Sequence, residues 1–313
     1  MTLIFMYRYL RTVAVLAALG LTGCALAACG GGPASGGNGK VDVVAAFYPL
    51  EYVTTKVGGD HVRVTDLVKP GVEPHDLELN PQQVGAVSQA GLVVYLKGFQ
   101  PAVDQVVDGE AKDRALDAAT VTPLLGGHTP IEGGEAHRDE TGADPHVWLD
   151  PTRLAAIADA VAARLGKVDP AHAADFTRNA GALRTTLTAL DGEYRAGLAH
   201  CTSRSIVTSH NAFGYLAHRY GLTQVGITGL TPDTEPTGAR LAEVAQLARR
   251  EKVKVIFFET LVSPKIAETL AAEVGARAEV LDPIEGLKAG NDADYISVMR
   301  SNLATLRSAL GCS

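Results

Sequence analysis

Short β-branched runs alternate with helical stretches along most of the chain. In the first half, the strand candidates are VDVVAAF (41–47), VRVTDLV (62–68) and LVVYLK (92–97). Helices are predicted near 50–58, 81–90 and 101–108. In the second half, the strand candidates lie at 205–209, 222–228, 253–259 and 278–282. Helices are predicted near 211–220, 236–251, 264–275 and 292–310. Strands that alternate with helices are typical of crossover units and parallel sheets. The pattern therefore predicts two α/β lobes.

Two further helices are predicted between these halves. Asp150-Pro151 begins the first and Asp169-Pro170 begins the second, because proline favours the first turn of a helix. The second keeps an apolar stripe at helical spacing over roughly 30 residues, or about 45 Å. We expect it to be a rigid connector (169–200) between lobes at 41–168 and 201–313. A single doubly wound domain with a long surface helix is the alternative that this pattern leaves open.

The first 28 residues have the pattern of an export signal. Arg8 and Arg11 precede an apolar run that contains no acidic residue and ends in small residues, as a cleaved signal does. The stretches LTGC and LAAC within it resemble the lipobox of bacterial lipoproteins, in which the cysteine is acylated. We expect a soluble body with a lipid anchor outside the cytoplasm, since nothing later in the chain is apolar enough to span a bilayer.

The four cysteines favour one lipidation site over the other. Lipidation of Cys24 would leave Cys29 as an unpaired thiol in an oxidising compartment. Lipidation of Cys29 removes Cys24 with the signal and leaves Cys201 and Cys312, which could form a disulfide. We therefore favour Cys29 as the anchor, followed by a flexible glycine-rich tether over 29–40.

Charge excludes one class of partner. The chain has 28 basic and 35 acidic residues, for a formal net charge of −7, and no basic stripe. Nucleic-acid binding is therefore not expected. The acidic balance is permissive for a cationic ligand, but many proteins share it.

Four metal-binding side chains are predicted at strand ends or at the start of a helix. Parallel-sheet proteins bind ligands beyond the carboxyl ends of their strands. His75 follows strand 62–68, His210 ends strand 205–209, and Asp282 ends the last strand, while His146 precedes the first connecting helix. Three imidazoles and a carboxylate suit tetrahedral Zn(II), whereas Mn(II) prefers more oxygen ligands. Sequence spacing alone does not bring these four residues together.

Other polar residues are assigned lesser roles. Glu259 is the rival of Asp282, and with Glu73 it is expected to orient ligands rather than to bind metal. His128 and His137 lie among glycines and acids, with no helix or strand to position them. We expect this segment to be a mobile stretch at the cleft mouth with weak metal contact.

Six motifs resemble those of the zinc- and manganese-binding solute receptors of ATP-binding-cassette importers. They are FYPL, GVEPHDLELNPQQV, DPHVWLDP, IVTSHNAFGYLAHRYGL, ITGLTPDTEPTGARL and LDPIEGL, and they follow the family's order. The resemblance implies two α/β lobes joined by a long helix, with metal bound between the lobes. It also implies His75, His146, His210 and Asp282 as ligands, and the histidine at 210 implies zinc rather than manganese.

Two features depart from the family pattern. The polar loop before DPHVWLDP is much shorter than in the most histidine-rich zinc receptors, which weakens any role for it as a metal store. Glu73 stands where a small residue is more usual in the family, which leaves room for an altered coordination sphere.

The resulting expectation is a monomeric zinc-binding lipoprotein that delivers Zn(II) to the permease and ATPase subunits of an importer, not an enzyme. The alternatives are a manganese receptor of the same family or a zinc hydrolase built on the same histidines. Against the hydrolase, neither H-E-x-x-H nor G-x-S-x-G occurs, and a fourth protein ligand would close the metal sphere. A surface adhesin has no sequence feature of its own.

Overall fold

The first half of the chain forms a parallel sheet covered by helices. The computed structural model describes residues 39–126, 142–290 and 293–313. The first sheet has the order β2-β1-β3-β4, and its strands are β1 (Val41–Ala45), β2 (Val62–Asp66), β3 (Leu92–Tyr95) and β4 (Ala115–Asp117). The helices of this lobe are α1 (Tyr48–Gly58), α2 (Pro81–Gln89) and α3 (Pro101–Val106). Every residue of β3 is buried, as expected for a strand covered on both faces.

The second half repeats this topology without repeating the sequence. Its sheet has the order β6-β5-β7-β8 and is also parallel, with strands β5 (Ser205–Thr208), β6 (Thr223–Gly226), β7 (Val255–Phe258) and β8 (Arg277–Val280). The helices of this half are α6 (Gly214–Tyr220), α7 (Gly238–Arg250), α8 (Lys265–Val274) and α9 (Tyr295–Leu310). Each sheet therefore has a switch in strand order beside its first strand, where a crevice opens at the carboxyl ends.

Two packed helices connect the lobes. Helix α4 spans Pro151–Val168, and the Asp150 side chain caps it by accepting the backbone N–H of Thr152. Helix α5 spans Ala173–Gly197, which makes it 25 residues or about 37 Å long. Its buried stripe packs against α4, so the connector is fixed along its length.

The hydrophobic core is continuous from the first sheet to one face of the second. One cluster of buried side chains runs from β1 through the connecting helices to Ile206, Phe257 and Leu281. A separate cluster, which includes Val207 and Ile256, fills the other face of the second sheet under α7 and α8. Successive side chains along a strand point to opposite faces of the sheet, so Ile206 and Val207 belong to different clusters.

The predicted fold class is confirmed: two parallel-sheet α/β lobes with a long helix between them. The short strand β4 was missed, because Ala-Leu-Asp is too brief to show a period. The predicted pair Cys201 and Cys312 forms a disulfide. Within the described ranges, no helix is long and apolar enough to cross a membrane. The lipidation candidates Cys24 and Cys29 lie outside the described residues, as do His128 and His137.

Candidate metal centre

Three of the four predicted ligands come together with a glutamate that was not predicted. His75, His146, His210 and Glu285 place one potential ligand atom each within 4.8 Å of one another, and all four residues are buried. The Nε2 atoms of the three histidines lie 3.5, 3.2 and 3.1 Å from Glu285 Oε1, in chain order. The four side chains therefore converge on one point, as the donors of a single ion would.

His75 lies in the long loop between β2 and α2, where backbone contacts fix its position. Its backbone N–H donates to Glu73 Oε2 at 2.9 Å, and Gln100 Nε2 donates to the neighbouring Pro74 carbonyl at 3.2 Å. Burial lowers the pKa of His75 below the ordinary 6.5 and outweighs the opposing effect of Glu285. His75 is therefore a neutral imidazole near neutral pH.

His146 is oriented by its neighbour Asp144. Asp144 Oδ1 accepts both the backbone N–H of His146, at 2.9 Å, and the ring Nδ1–H, at 2.8 Å. A hydrogen on Nδ1 leaves the lone pair of Nε2 aimed at the cluster. Burial alone would lower the pKa of His146, but Asp144 and Glu285 together raise it.

Close packing fixes Asp144 in turn. Tyr215 on α6 donates its hydroxyl hydrogen to the Asp144 carbonyl at 2.7 Å. A Cβ atom on Gly214 would lie only 2.4 Å from Asp144 Oδ2. Glycine is therefore required at 214 for the carboxylate to sit beside the start of α6.

His210 follows β5 closely and is held by a carboxylate from the neighbouring strand. Glu259, directly after β7, accepts from His210 Nδ1 at 2.8 Å and from Ser209 Oγ at 2.5 Å. Burial opposes protonation of His210, but the charges of Glu259 and Glu285 raise its pKa well above 6.5. The structure thus places Glu259 beside a candidate ligand.

Asp282, the predicted fourth ligand, is not brought into the cluster. Its carboxylate accepts the hydroxyl hydrogen of Thr260 at 2.8 Å and the backbone N–H of Ile284 at 2.7 Å. An aspartate that bonds the N–H two residues later forms a turn, so this side chain folds back onto its own loop. Three residues further on, the longer Glu285 reaches the histidines.

The turn that delivers Glu285 is strained. Ile284 has φ of +58°, a left-handed conformation that is unusual for a β-branched residue. Such strain costs on the order of 1–3 kcal/mol and persists only where the surroundings enforce it. In LDPIEGL, the only sequence signal for Glu285 was a second acidic residue close to a strand end.

Electrostatics favour an ionised Glu285 despite its burial. Desolvation would raise its pKa, but the three histidines hold it well below the ordinary 4.5. The Nε2 atoms of His75 and His146 are buried, and although they lie 3.5 and 3.2 Å from Glu285 Oε1, they make no well-aligned hydrogen bond among the described residues. Buried polar atoms without partners are costly, and a cation held between them and Glu285 would satisfy both.

Glu73 lies at the edge of this centre, not within it. Its pKa is raised to about 8, first by burial and then by the charge of Glu285. With Asp76 and Asp233 it forms a second acidic group, whose other two members are exposed. Its carboxylate accepts the backbone N–H of His75 at 2.9 Å, which ties Glu73 to the loop that carries this candidate ligand.

The chain is similar to zinc-uptake proteins over most of its length. The family model described as ZnuA, zinc-uptake complex component A, periplasmic, matches residues 43–309. The high-affinity zinc uptake system protein ZnuA of Bacillus subtilis is 34% identical over 301 residues, which cover 91% of this chain and 93% of that protein.

A second relative is longer than this chain. The zinc-binding lipoprotein AdcA of Streptococcus pneumoniae is 37% identical over 282 residues, covering 86% of this chain and 56% of AdcA. The chain therefore spans about half the length of that relative. The solved structure of the Zn(II)-bound ZnuA-like domain of the same AdcA gives a TM-score of 0.73 at 35% identity, over 87% of this chain and 99% of that domain.

Proposed function

The chain belongs to the family of the zinc-uptake complex component A, and we propose that it is an extracytoplasmic receptor that binds Zn(II) and hands it to an importer. The single observation that carries this proposal is the convergence of three imidazole nitrogens and one carboxylate oxygen in a buried centre. The family is that of a transport component and not of an enzyme.

The ligand set His75, His146, His210 and Glu285 suits zinc. Zn(II) is commonly bound by four nitrogen and oxygen ligands in a tetrahedron, whereas Mn(II) is favoured by sites richer in oxygen. Glu285 is the only carboxylate of the four. The name of the B. subtilis relative, a zinc uptake protein, supports the same metal.

Four protein ligands also argue against hydrolysis. A catalytic zinc keeps an open position for water, and here a fourth side chain fills it. Glu259, the candidate base of a hydrolase, is bonded to His210 and Ser209 instead of facing an open position. The arrangement is that of a holding site.

Binding and release follow from where the ligands lie. His75 and His146 belong to loops of the first lobe, and His210 and Glu285 follow strands of the second. Zinc therefore joins the two lobes, and its release requires the ligands of one lobe to separate from those of the other. We assign that separation to docking on the permease, whose ATPase subunits drive import.

We further propose that the receptor is a monomer anchored through lipid on Cys29, with residues 1–28 removed as a signal. Mass spectrometry of the intact protein from a lipoprotein-processing host tests this. We expect acylation to be lost in Cys29→Ala and retained in Cys24→Ala. Acylation that survives in Cys29→Ala and disappears in Cys24→Ala would reverse the assignment.

Calorimetric titration of metal-stripped protein with Zn(II) tests the proposed function. The chain from residue 30 onward should bind one zinc tightly and melt at a higher temperature when loaded. His146→Ala should lose this binding, while His218→Ala, which removes an exposed imidazole on α6, should retain it. Absence of zinc binding, or equal binding by His146→Ala, would contradict the proposal.

A further inference from the structure

One hydrogen bond links the two loops that carry ligands from different lobes. The indole Nε1 of Trp148 donates to the carbonyl of Pro283 at 2.7 Å, and both groups are buried. Trp148 follows His146 by two residues, and Pro283 precedes Glu285 by two. The bond therefore joins the loop that carries His146 to the loop that carries Glu285.

The Trp148 side chain is itself held firmly. It is 1% exposed and packs against Phe47 and Phe99, with ring centroids 4.9 and 5.4 Å away. The centroid of the His146 ring lies 5.3 Å from that of the indole. A rotation of the indole would therefore disturb both the core of the first lobe and a candidate ligand.

The Trp148 backbone is tied to the second half of the chain as well. The hydroxyl of Tyr295, the first residue of α9, donates to the Trp148 carbonyl at 2.6 Å. Tyr295 is fully buried. Trp148 is thus held at its side chain by Pro283 and at its backbone by Tyr295.

The position of the Pro283 carbonyl affects the position of Glu285, because the two residues are close in the chain. Only Ile284 lies between them, in its left-handed conformation. Such a backbone conformation needs contacts on several sides to persist. The indole bond and the turn made by Asp282 are two contacts that enforce it.

We propose that Trp148 is a positioning residue that keeps Glu285 at bonding distance from the histidines and thereby slows zinc release. Tyr295 supports it through the backbone. This role rests on the proposed zinc function. The hydrogen bonds of Trp148 to Pro283 and to Tyr295 together form what we call the latch between the lobes. The latch must open before zinc can leave.

Zinc dissociation rates test the latch. Zinc-loaded protein is mixed with excess chelator, and zinc transfer is followed with a chromophoric chelator. We expect release to be about tenfold faster in Trp148→Phe, which keeps an aromatic ring but loses the indole N–H. In Tyr295→Phe we expect about threefold faster release. Association rates should not change.

Tyr194→Phe is the matched control. Its hydroxyl donates to the Met299 carbonyl at 2.6 Å, and Tyr194 is as fully buried as Tyr295, but the bond joins α5 to α9 and touches no ligand loop. It should lower thermal stability to a similar degree while leaving zinc release unchanged. The double variant Trp148→Phe/Tyr295→Phe should release zinc no faster than Trp148→Phe, because both bonds act through one residue.

The outcomes separate the latch from the proposed function. Release from Trp148→Phe and Tyr295→Phe at the rate of Tyr194→Phe would overturn the latch while the receptor still binds zinc. Failure of the unmodified chain to bind zinc would instead overturn the proposed function. If Trp148→Phe does not fold, Tyr295→Phe decides alone, with the emission of Trp148, the chain's one tryptophan, as a second reporter of release.

Discussion

The His75 loop and the His210 loop present the same ring nitrogen to the same glutamate, but they are built differently. His75 lies in a long loop fixed through its backbone, and within the described ranges its ring pairs with the carboxylate of Glu285 alone. His210 follows a strand closely, and Glu259 holds its Nδ1. As a result, the pKa of His75 is lowered and that of His210 is raised. His75 is already neutral near neutral pH, whereas His210 must lose a proton when zinc binds.

The largest difference between the two loops should appear in the free energy of unfolding when the imidazole of His75 or of His210 is removed. His75→Ala and His210→Ala should both lose tight zinc binding, because each leaves three ligands. Metal-free His210→Ala should also lose about 3–5 kcal/mol of unfolding free energy, because the buried carboxylates of Glu259 and Glu285 then lose the imidazole that they share. Metal-free His75→Ala should lose clearly less. Urea denaturation of the two metal-free variants measures the difference, and equal losses would contradict the comparison.

A smaller effect is expected when the orienting carboxylate alone is neutralised. Glu259→Gln keeps the size of the side chain but weakens its hold on His210 Nδ1. We expect zinc affinity to fall by about 10- to 100-fold, as is typical for such partners. Glu243→Gln, which alters a carboxylate paired with Arg240 on α7, is the control and should bind zinc normally. Competition with a chromophoric chelator measures both, and normal binding by Glu259→Gln would show that His210 needs no orienting partner.

The pH dependence should show the same division. The raised pKa values of His146 and His210 mean that both stabilise the metal-free protein fully below about pH 6.5 and lose that effect as the pH rises through their folded values. The lowered pKa of Glu285 means that its contribution is present above about pH 4.5 and is lost in more acidic solution. The combined contribution of His146, His210 and Glu285 to metal-free stability should therefore be largest between these limits, while zinc affinity rises above pH 6.5.

Proton release measures this prediction. Calorimetric titrations near pH 6.5, in buffers of different ionisation enthalpy, should report protons released on zinc binding, from His210 and in part from His146. Release of none would mean that all three imidazoles are neutral before zinc binds. Release of three protons would mean that His75 is protonated before zinc binds, like the other two histidines.

Much of the fold was predictable from sequence because its signals are local. Alternating strands and helices gave both lobes, and Asp-Pro pairs marked the starts of the connecting helices. Three of the four converging side chains were found by asking which residues follow strands or precede α4. The strand β4 was missed because three residues carry no period.

The glutamate could not be predicted by the same reasoning. Asp282 and Glu285 lie three residues apart near one strand end, and sequence position favours the nearer one. The choice depends on which carboxylate forms the turn, and therefore on Thr260 and the left-handed Ile284. Those are tertiary and conformational features that no spacing rule contains. The same holds for Asp144, whose role depends on Gly214 from another part of the chain.

The most direct test of the account is the zinc affinity of Glu285→Gln beside that of Asp282→Asn, measured by chelator competition. Each change removes one carboxylate charge from the same loop and preserves side-chain size. The account predicts that Glu285→Gln weakens binding by about 100-fold or more, since a metal ligand is lost, and that Asp282→Asn stays within about tenfold of the unmodified chain. The reverse order would contradict it and restore Asp282 as the fourth ligand.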